Sequence, residues 1–155
     1  MDDFEQRVKK AFGLVAFTCN RHLVDHMRRV SNDLGIDLDT AMLWGLTAHL
    51  NVAPSIRPGA PPNEVMSAQG EFTGQRHPVK LADVAFVSGL PRETVRRKLE
   101  LLRTAGKLEK TSDGGWAVLS SGVDEATFTF TVETIRRLLA TARQIEAILA
   151  QVEPD

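Results

Sequence analysis

Four cationic side chains and one hydroxyl group fall within seven consecutive residues of this chain. Arginine guanidinium groups can hold phosphate oxygens, or the O6 and N7 atoms of guanine, through paired hydrogen bonds. The chemistry that this cluster indicates is recognition of a polyanion in a groove. The alternative is a solvated helix face, on which Glu93 and Arg97 pair at i,i+4 spacing. The members of the cluster are Arg92, Thr94, Arg96, Arg97 and Lys98.

Two helices with a tight turn between them are predicted to position the cluster. The first helical pattern covers residues 81–87 and stops before Gly89, since glycine tolerates the positive φ that a tight turn needs. The second helix is predicted over residues 91–104, with Pro91 in its first turn and Gly106 just beyond its end. Apolar positions recur along it at helical spacing, so they face inward and the cations face outward. These apolar positions are Val95, Leu99 and Leu102.

A β-hairpin is predicted after the second helix, over residues 107–119, because an Asp-Gly pair separates two strand-like runs. Polar residues near its tip would contact phosphates or the minor groove; alternatively, they are an ordinary charged hairpin edge. These residues are Lys110, Thr111 and Ser112. Arg76 and Lys80 precede the first helix, where they either contact the nucleic-acid backbone or belong to a solvated linker.

Residues 78–119 resemble the winged helix-turn-helix domain of bacterial transcription regulators of the MarR, GntR and IclR type. The matching features are Ala85, the run Ser88-Gly89-Leu90-Pro91-Arg92-Glu93-Thr94-Val95-Arg96-Arg97, Leu102, Gly106 and Asp113-Gly114-Gly115. The resemblance implies that the helix at 91–104 enters the major groove of double-stranded DNA and that the wing at 107–119 contacts the backbone or minor groove. It also implies a homodimer that presents two recognition helices one DNA turn apart.

The charge distribution favours a local anion-binding module despite a formal net charge of −1. From Arg76 to Lys110 there are nine Lys or Arg residues against four Asp or Glu, a charge of +5, so the rest of the chain carries −6. Since salt screens charges beyond roughly 8–10 Å, this local excess matters more than the total.

The remaining segments are predicted to be mainly helical, which makes the fold mainly α (α+β). Residues 1–53 form an N-terminal helical body, and residues 54–77 are a Pro/Gly-rich linker or loop that alternatively lines a pocket. The winged helix-turn-helix occupies residues 78–122, and residues 123–155 form a C-terminal dimerisation helix whose apolar positions approach a heptad seam. The helical stripe of residues 2–34 cannot be buried by one helix alone, so its partner is the next helix or a second subunit.

Within these segments, residues 2–34 are read as one helix or as two helices broken near Gly13 or Asn20. A core helix is expected from Thr40 to about Asn51, and a short helix around Asn63 to Ala68. The alternation at residues 127–131 is typical of a strand but leads directly into a helical pattern, so its state stays open.

Cys19, His22 and His26 repeat along one helix and are the candidate zinc ligands; the competing interpretation is that the cysteine packs and the histidines lie at an interface edge. We expect no metal or other cofactor, and no enzyme activity, because motifs for phosphate binding or nucleophilic catalysis are absent. The single cysteine and the lack of an apolar span or basic leader predict a cytoplasmic protein without a membrane partner.

The function predicted from the sequence is sequence-specific regulation of transcription, with an effector that the sequence does not identify. The alternatives are a winged-helix module that binds proteins rather than DNA, and a ligand or metal sensor that acts through the helical body.

Overall fold

The computed structural model describes residues 2–56, 58–59, 61, 64, 67–68, 71–119 and 123–153. The protein is mainly helical and has a small two-stranded antiparallel sheet. It divides into two compact units. The terminal unit consists of Met1–Gly35 and Glu125–Asp155, and the central unit consists of Ile36–Asp124.

Three helices and a β-hairpin form the framework of the central unit. In chain order they are α3 (Leu38–Val52), α4 (Leu81–Ser88), α5 (Arg92–Thr104), β1 (Leu108–Lys110) and β2 (Trp116–Val118), and a 3-10 turn at Ala53–Ser55 follows α3. Asp37 caps α3, because its carboxylate accepts a hydrogen bond from the Thr40 N–H at 3.0 Å. Gly89 and Gly106 have φ near +69° and end α4 and α5, as predicted from the need for glycine at such turns.

The core of the central unit is apolar and closed. Val95 and Leu99 of α5 are fully buried beside Leu43 of α3 and Val84 of α4. Trp116 of β2 completes this cluster, so the hairpin packs on the helices through the largest side chain of the sheet. The predicted division of α5 into an inward apolar stripe and an outward polar face is confirmed for these positions.

The hairpin has a fixed register in which Leu108 pairs with Val118 and Lys110 with Trp116. Val79, which precedes α4, adds a third stretch of backbone: its N–H donates to the Trp116 carbonyl at 3.0 Å and its carbonyl accepts from the Trp116 N–H at 2.8 Å. Gly115 lies where this stretch approaches the hairpin, and a Cβ there would come within 2.8 Å of the Pro78 Cβ. The chain entering α4 therefore sets the position of the hairpin.

The terminal unit contains α1 (Asp3–Lys10), α2 (Phe12–Leu34) and α6 (Glu125–Ala150). A capping box begins α1, with the Asp2 side chain bonded to the Glu5 N–H and the Glu5 side chain to the Asp2 N–H. Helices α2 and α6 run antiparallel, since the partners of later residues on α2 come from earlier positions on α6: Arg21 contacts Gln144 and Arg29 contacts Thr134.

Several predictions about the segments can be compared with these elements. The two-helix interpretation of residues 2–34 is confirmed, with the break at Ala11, and residues 127–131 are helical rather than extended. The grouping of α3 differs from the prediction: α3 belongs to the central unit and packs in its core, whereas the sequence placed it in an N-terminal body. The short helix expected around Asn63 to Ala68 falls largely outside the described residues.

Candidate nucleic-acid interface

The outer face of α5 carries the exposed members of the predicted cluster. Arg92, Arg96 and Arg97 are exposed and Thr94 is half-buried, because these positions lie away from the Val95 stripe. Arg92 and Arg97 make no ion pair with any residue that the structure describes. Their guanidinium groups therefore point into solvent with hydrogen-bonding capacity for an anionic partner.

Arg96 forms a two-bond ion pair with Glu93 one turn earlier on the same helix. Its Nε donates to Glu93 Oε2 at 2.8 Å and its Nη2 donates to Glu93 Oε1 at 2.6 Å. These hydrogen bonds lower the pKa of Glu93 and raise the pKa of Arg96. The expected pair between Glu93 and Arg97 is therefore replaced by a pair at i,i+3 spacing. Because this pair is exposed, it contributes little to stability and can exchange for another anion.

Lys98 does not belong to the exposed face, so the prediction that it faces outward with the arginines of α5 is wrong. It is 8% exposed, and its Nζ lies 2.5 Å from Asp37 Oδ1 and 3.3 Å from Thr40 Oγ1. The cause is its position on α5 next to the buried Leu99, which directs the aliphatic stem along the core toward the start of α3. Lys98 thus joins the recognition-helix candidate to the cap of α3.

Asp37 has two partners in this contact. Desolvation alone would raise the pKa of its carboxyl group, but hydrogen bonds from Lys98 and from Thr40 outweigh that effect and lower the pKa well below its usual range. The carboxylate caps α3 and neutralises the buried ammonium group at the same time. The Asp37 carboxylate therefore adds a polar contact between α3 and α5 to the apolar packing of Leu43 against Leu99.

The tip of the hairpin presents two of its three predicted residues to solvent. Lys110 and Ser112 are exposed, and the Lys110 ammonium lies 5.5 Å from the centroid of the Trp116 ring. Thr111 is half-buried, and its hydroxyl donates to the Asp113 carboxylate, which lowers the pKa of Asp113. Asp113 is thus occupied within the turn, as expected of a turn residue.

The two cations before α4 differ in what they contact. Lys80 is exposed at the start of α4, and its charge also acts on Asp113 of the hairpin. Arg76 is half-buried, and its Nη1 donates to the Glu109 carboxylate and, at 2.7 Å, to the Val118 carbonyl. Arg76 therefore braces both strands of the hairpin, a role that the sequence did not reveal.

Asn51 is the residue that sequence reasoning missed most completely. Its fully buried amide donates to the His77 carbonyl at 2.9 Å and to the Trp116 carbonyl at 3.1 Å, and its Oδ1 accepts from the Val118 N–H at 2.7 Å. It joins α3, the segment entering α4, and β2. A polar residue between Leu50 and Val52 in the last turn of α3 was the only sequence signal available.

The candidate zinc ligands lie along α2 in the terminal unit. Cys19 is exposed, and the rings of His22 and His26 stack with centroids 6.4 Å apart. His22 Nδ1 lies 3.2 Å from Thr141 Oγ1, and His26 packs against the Phe130 ring. In the described part of the chain, no group of three or more His, Cys, Asp or Glu residues is arranged to hold a metal ion.

Among the helices of the described residues, none combines the length and apolar character needed to cross a membrane. Comparison with known proteins shows no family model that matches the chain, and no significant similarity to a curated protein or a solved structure.

Proposed function

We propose that the central unit is a winged helix-turn-helix and that the protein is a sequence-specific, double-stranded-DNA-binding regulator of transcription in the cytoplasm. The observation that carries the proposal is the two-sided character of α5. One side is buried with Leu99 in a closed core, and the other presents Arg92, Arg96 and Arg97 to solvent near the start of the helix. The N-terminal half of such a helix is the part that enters a major groove.

The hairpin supports the same proposal. It follows α5 directly, packs on the core through Trp116, and carries Lys110 and Ser112 on its exposed side. The pKa of Glu100 on α5 is lowered by the hydrogen bond from Arg103 and, to a smaller extent, by the charge of Lys110. A groove-binding helix with a cationic wing beside it can neutralise phosphates on both sides of the groove.

The proposed DNA binding uses two kinds of contact. Arg92 and Arg97 supply guanidinium forks for base edges or phosphates, and Arg96 joins them when DNA displaces its exposed pair with Glu93. Lys80, Lys110 and Ser112 add backbone contacts, whereas Arg76 and Lys98 hold the scaffold. No step requires a cofactor or a catalytic group, so binding rather than catalysis is the proposed activity.

The test is DNA binding by an Arg96→Ala/Arg97→Ala variant across a salt series, with a DNA library that includes the region flanking the protein's own coding sequence. Loss of two phosphate contacts flattens the plot of log affinity against log salt by about two. Arg103→Ala is the matched control, because Arg103 is an exposed cation in the last turn of the same helix. The control is expected to retain the affinity and the slope.

Unchanged affinity and slope in the double variant would contradict the proposal, provided that circular dichroism shows the same helix content. A protein that binds no duplex at low salt would favour the alternative of a protein-interaction module. In that case the double variant is expected to lose a protein partner instead of DNA.

A further inference from the structure

The exposed, cationic side of α5 also carries an acidic residue. Glu93 lies in the first turn of the helix, and its side chain is 74% exposed. The helix contains two acids, Glu93 and Glu100, and Glu93 is the one in the N-terminal half, among Arg92, Arg96 and Arg97. A negative charge at this place repels phosphate groups and weakens binding to duplex DNA of any sequence. In a DNA groove this carboxylate therefore needs a partner other than the phosphates.

The ion pair with Arg96 leaves hydrogen-bonding capacity on both side chains. Each Glu93 oxygen accepts one bond in this pair, Oε2 from Arg96 Nε at 2.8 Å and Oε1 from Arg96 Nη2 at 2.6 Å. A carboxylate oxygen can accept two hydrogen bonds, and the Nη1 group of Arg96 takes no part in these two bonds. The pair therefore presents an acceptor and a donor side by side to a ligand in front of the helix.

The chemistry of the major groove limits the partners that the Glu93 carboxylate can have there. A carboxylate only accepts hydrogen bonds, and the base edges offer two donors, the N4 amino group of cytosine and the N6 amino group of adenine. Adenine places its N7 acceptor beside the amino group, where it repels the second carboxylate oxygen, whereas cytosine presents the donor alone. Guanine, thymine and the phosphates offer no donor in this groove. Cytosine is therefore the base that fits Glu93 best.

We propose that Glu93 is a specificity-determining residue, which makes tight DNA binding depend on the amino group of one cytosine in the major groove. The inference rests on the proposed function of α5. At a matching site the cytosine N4–H donates to Glu93 and replaces the hydrogen bonds from Arg96, which moves to a phosphate or to a guanine. At any other site, either the pair stays closed and the DNA loses Arg96, or the pair opens and the carboxylate is left without a donor. Both outcomes lower the affinity.

The experiment compares the base preferences of the full-length wild type and Glu93→Ala, selected from a random duplex library at one salt concentration. The wild type is expected to prefer cytosine at a position where Glu93→Ala shows no preference. Another base there should lower the affinity of the wild type by about 5- to 150-fold. The affinity of Glu93→Ala for random duplex should rise, because a negative charge has left the side that meets the phosphates. Alanine favours helix at this exposed position, so circular dichroism should show unchanged helix content.

Glu100→Ala is the matched control. Glu100 forms the same kind of pair in the C-terminal half of the helix, where its Oε2 accepts from Arg103 Nε at 2.6 Å with i,i+3 spacing. The control removes one negative charge from α5, as Glu93→Ala does, so both variants share any general gain in affinity. Glu100→Ala is expected to keep the cytosine preference of the wild type. Loss of that preference in both variants would overturn the inference, because the charge of the helix rather than Glu93 would then set it.

Duplexes that contain N4-methylcytosine test the hydrogen bond itself. The remaining N4 hydrogen of this base pairs with guanine, so the methyl group replaces the hydrogen that faces the major groove. At the selected position it is expected to lower the affinity of the wild type at least fivefold and to leave that of Glu93→Ala unchanged.

An equal effect of the methyl group on both proteins would overturn the inference. So would a Glu93→Ala variant that keeps every base preference of the wild type, or one that loses a preference for a base other than cytosine. These results leave the proposed DNA binding intact, because the salt series with Arg96→Ala/Arg97→Ala tests it separately. A wild type that binds no duplex contradicts the proposed function and this inference together.

Discussion

The two units of this protein use apolar residues in opposite ways. In the central unit, Leu43, Val84, Val95 and Leu99 are fully buried and close around Trp116. In the terminal unit, Val30 is the one large apolar side chain among the described residues that is buried to a similar degree. Twelve of the nineteen exposed large apolar side chains of the described residues belong to the terminal unit, although it contains fewer residues. The central unit therefore completes its own core, whereas the terminal unit does not.

The difference follows from where each unit places its polar groups. The central unit buries four polar side chains among its described residues, and each is held by a specific partner, as Asn51 is by the Trp116 carbonyl and Lys98 is by Asp37. The terminal unit buries Arg29 and Thr18 instead, while most of its large apolar side chains on α2 and on the first half of α6 stay exposed. An apolar stripe in the sequence thus indicates that its side chains are buried. The position of the charged residues decides whether they are buried within the same chain.

Leu99→Ala should produce the largest effect and sharpen this comparison. The substitution leaves a cavity in a closed core, so the free energy of unfolding is expected to fall by about 2–5 kcal/mol. Leu139→Ala removes the same atoms from a half-exposed position on α6 and should cost less than about 1 kcal/mol at low protein concentration. Chemical denaturation followed by circular dichroism measures both values.

Protein concentration separates the two variants further. The cost of Leu99→Ala should be independent of concentration, because its contacts lie within one chain. If copies of the chain associate through α6, the cost of Leu139→Ala should grow with concentration, because association would stabilise the wild type by mass action. Equal costs for both variants at low concentration would show that the terminal unit has a closed core after all, and the contrast between the units would be lost.

Asn51→Ala is expected to have the next largest effect. The substitution leaves the Val118 N–H and the His77 and Trp116 carbonyls without their buried partner. Unsatisfied buried groups cost about 1–3 kcal/mol each when they cannot reach water, and partial relaxation brings the expected total to roughly 2–4 kcal/mol. Thermal unfolding measures the loss, and faster amide hydrogen exchange in β2 should accompany it.

Asn51→Asp is the informative companion variant. Its carboxylate can still accept from the Val118 N–H but cannot donate to the two carbonyls, so it should be at least as destabilising as alanine at neutral pH. Stability equal to that of the wild type in either variant would show that water replaces the amide, and Asn51 would not be the residue that joins α3 to the hairpin.

Local patterns were sufficient to predict much of the central unit. Gly89 and Gly106 indicated the ends of two helices, the Asp113-Gly114 pair indicated the hairpin, and the spacing of Val95, Leu99 and Leu102 indicated the buried side of α5. Each of these signals depends on neighbours within a few residues. These signals therefore do not depend on how the rest of the chain folds.

Contacts between distant residues were not predictable in the same way. Lys98 has the sequence context of an exposed cation, and only the approach of Asp37, which lies far away in the chain, turns it inward. Arg76 likewise depends on Glu109, and Asn51 on three backbone groups that the fold brings together. The sequence contains these residues but no local pattern that identifies their partners.

The smallest effect is expected from the ion pair that the sequence missed, and it has a defined pH dependence. Lys98→Met keeps the aliphatic stem and removes the ammonium group, while Asp37 stays more than half exposed. The free energy of unfolding is therefore expected to fall by about 1 kcal/mol or less at pH 7.

The lowered pKa of Asp37 means that the folded state favours its carboxylate form. This contribution is complete above the unfolded-state pKa of about 4 and is lost as the pH falls from there through the lowered folded-state pKa. Denaturation at pH 7 and near pH 3 should therefore give a smaller difference in the free energy of unfolding between wild type and Lys98→Met at the acidic pH. A difference that grows on acidification would mean that Lys98 is held by something other than the Asp37 carboxylate.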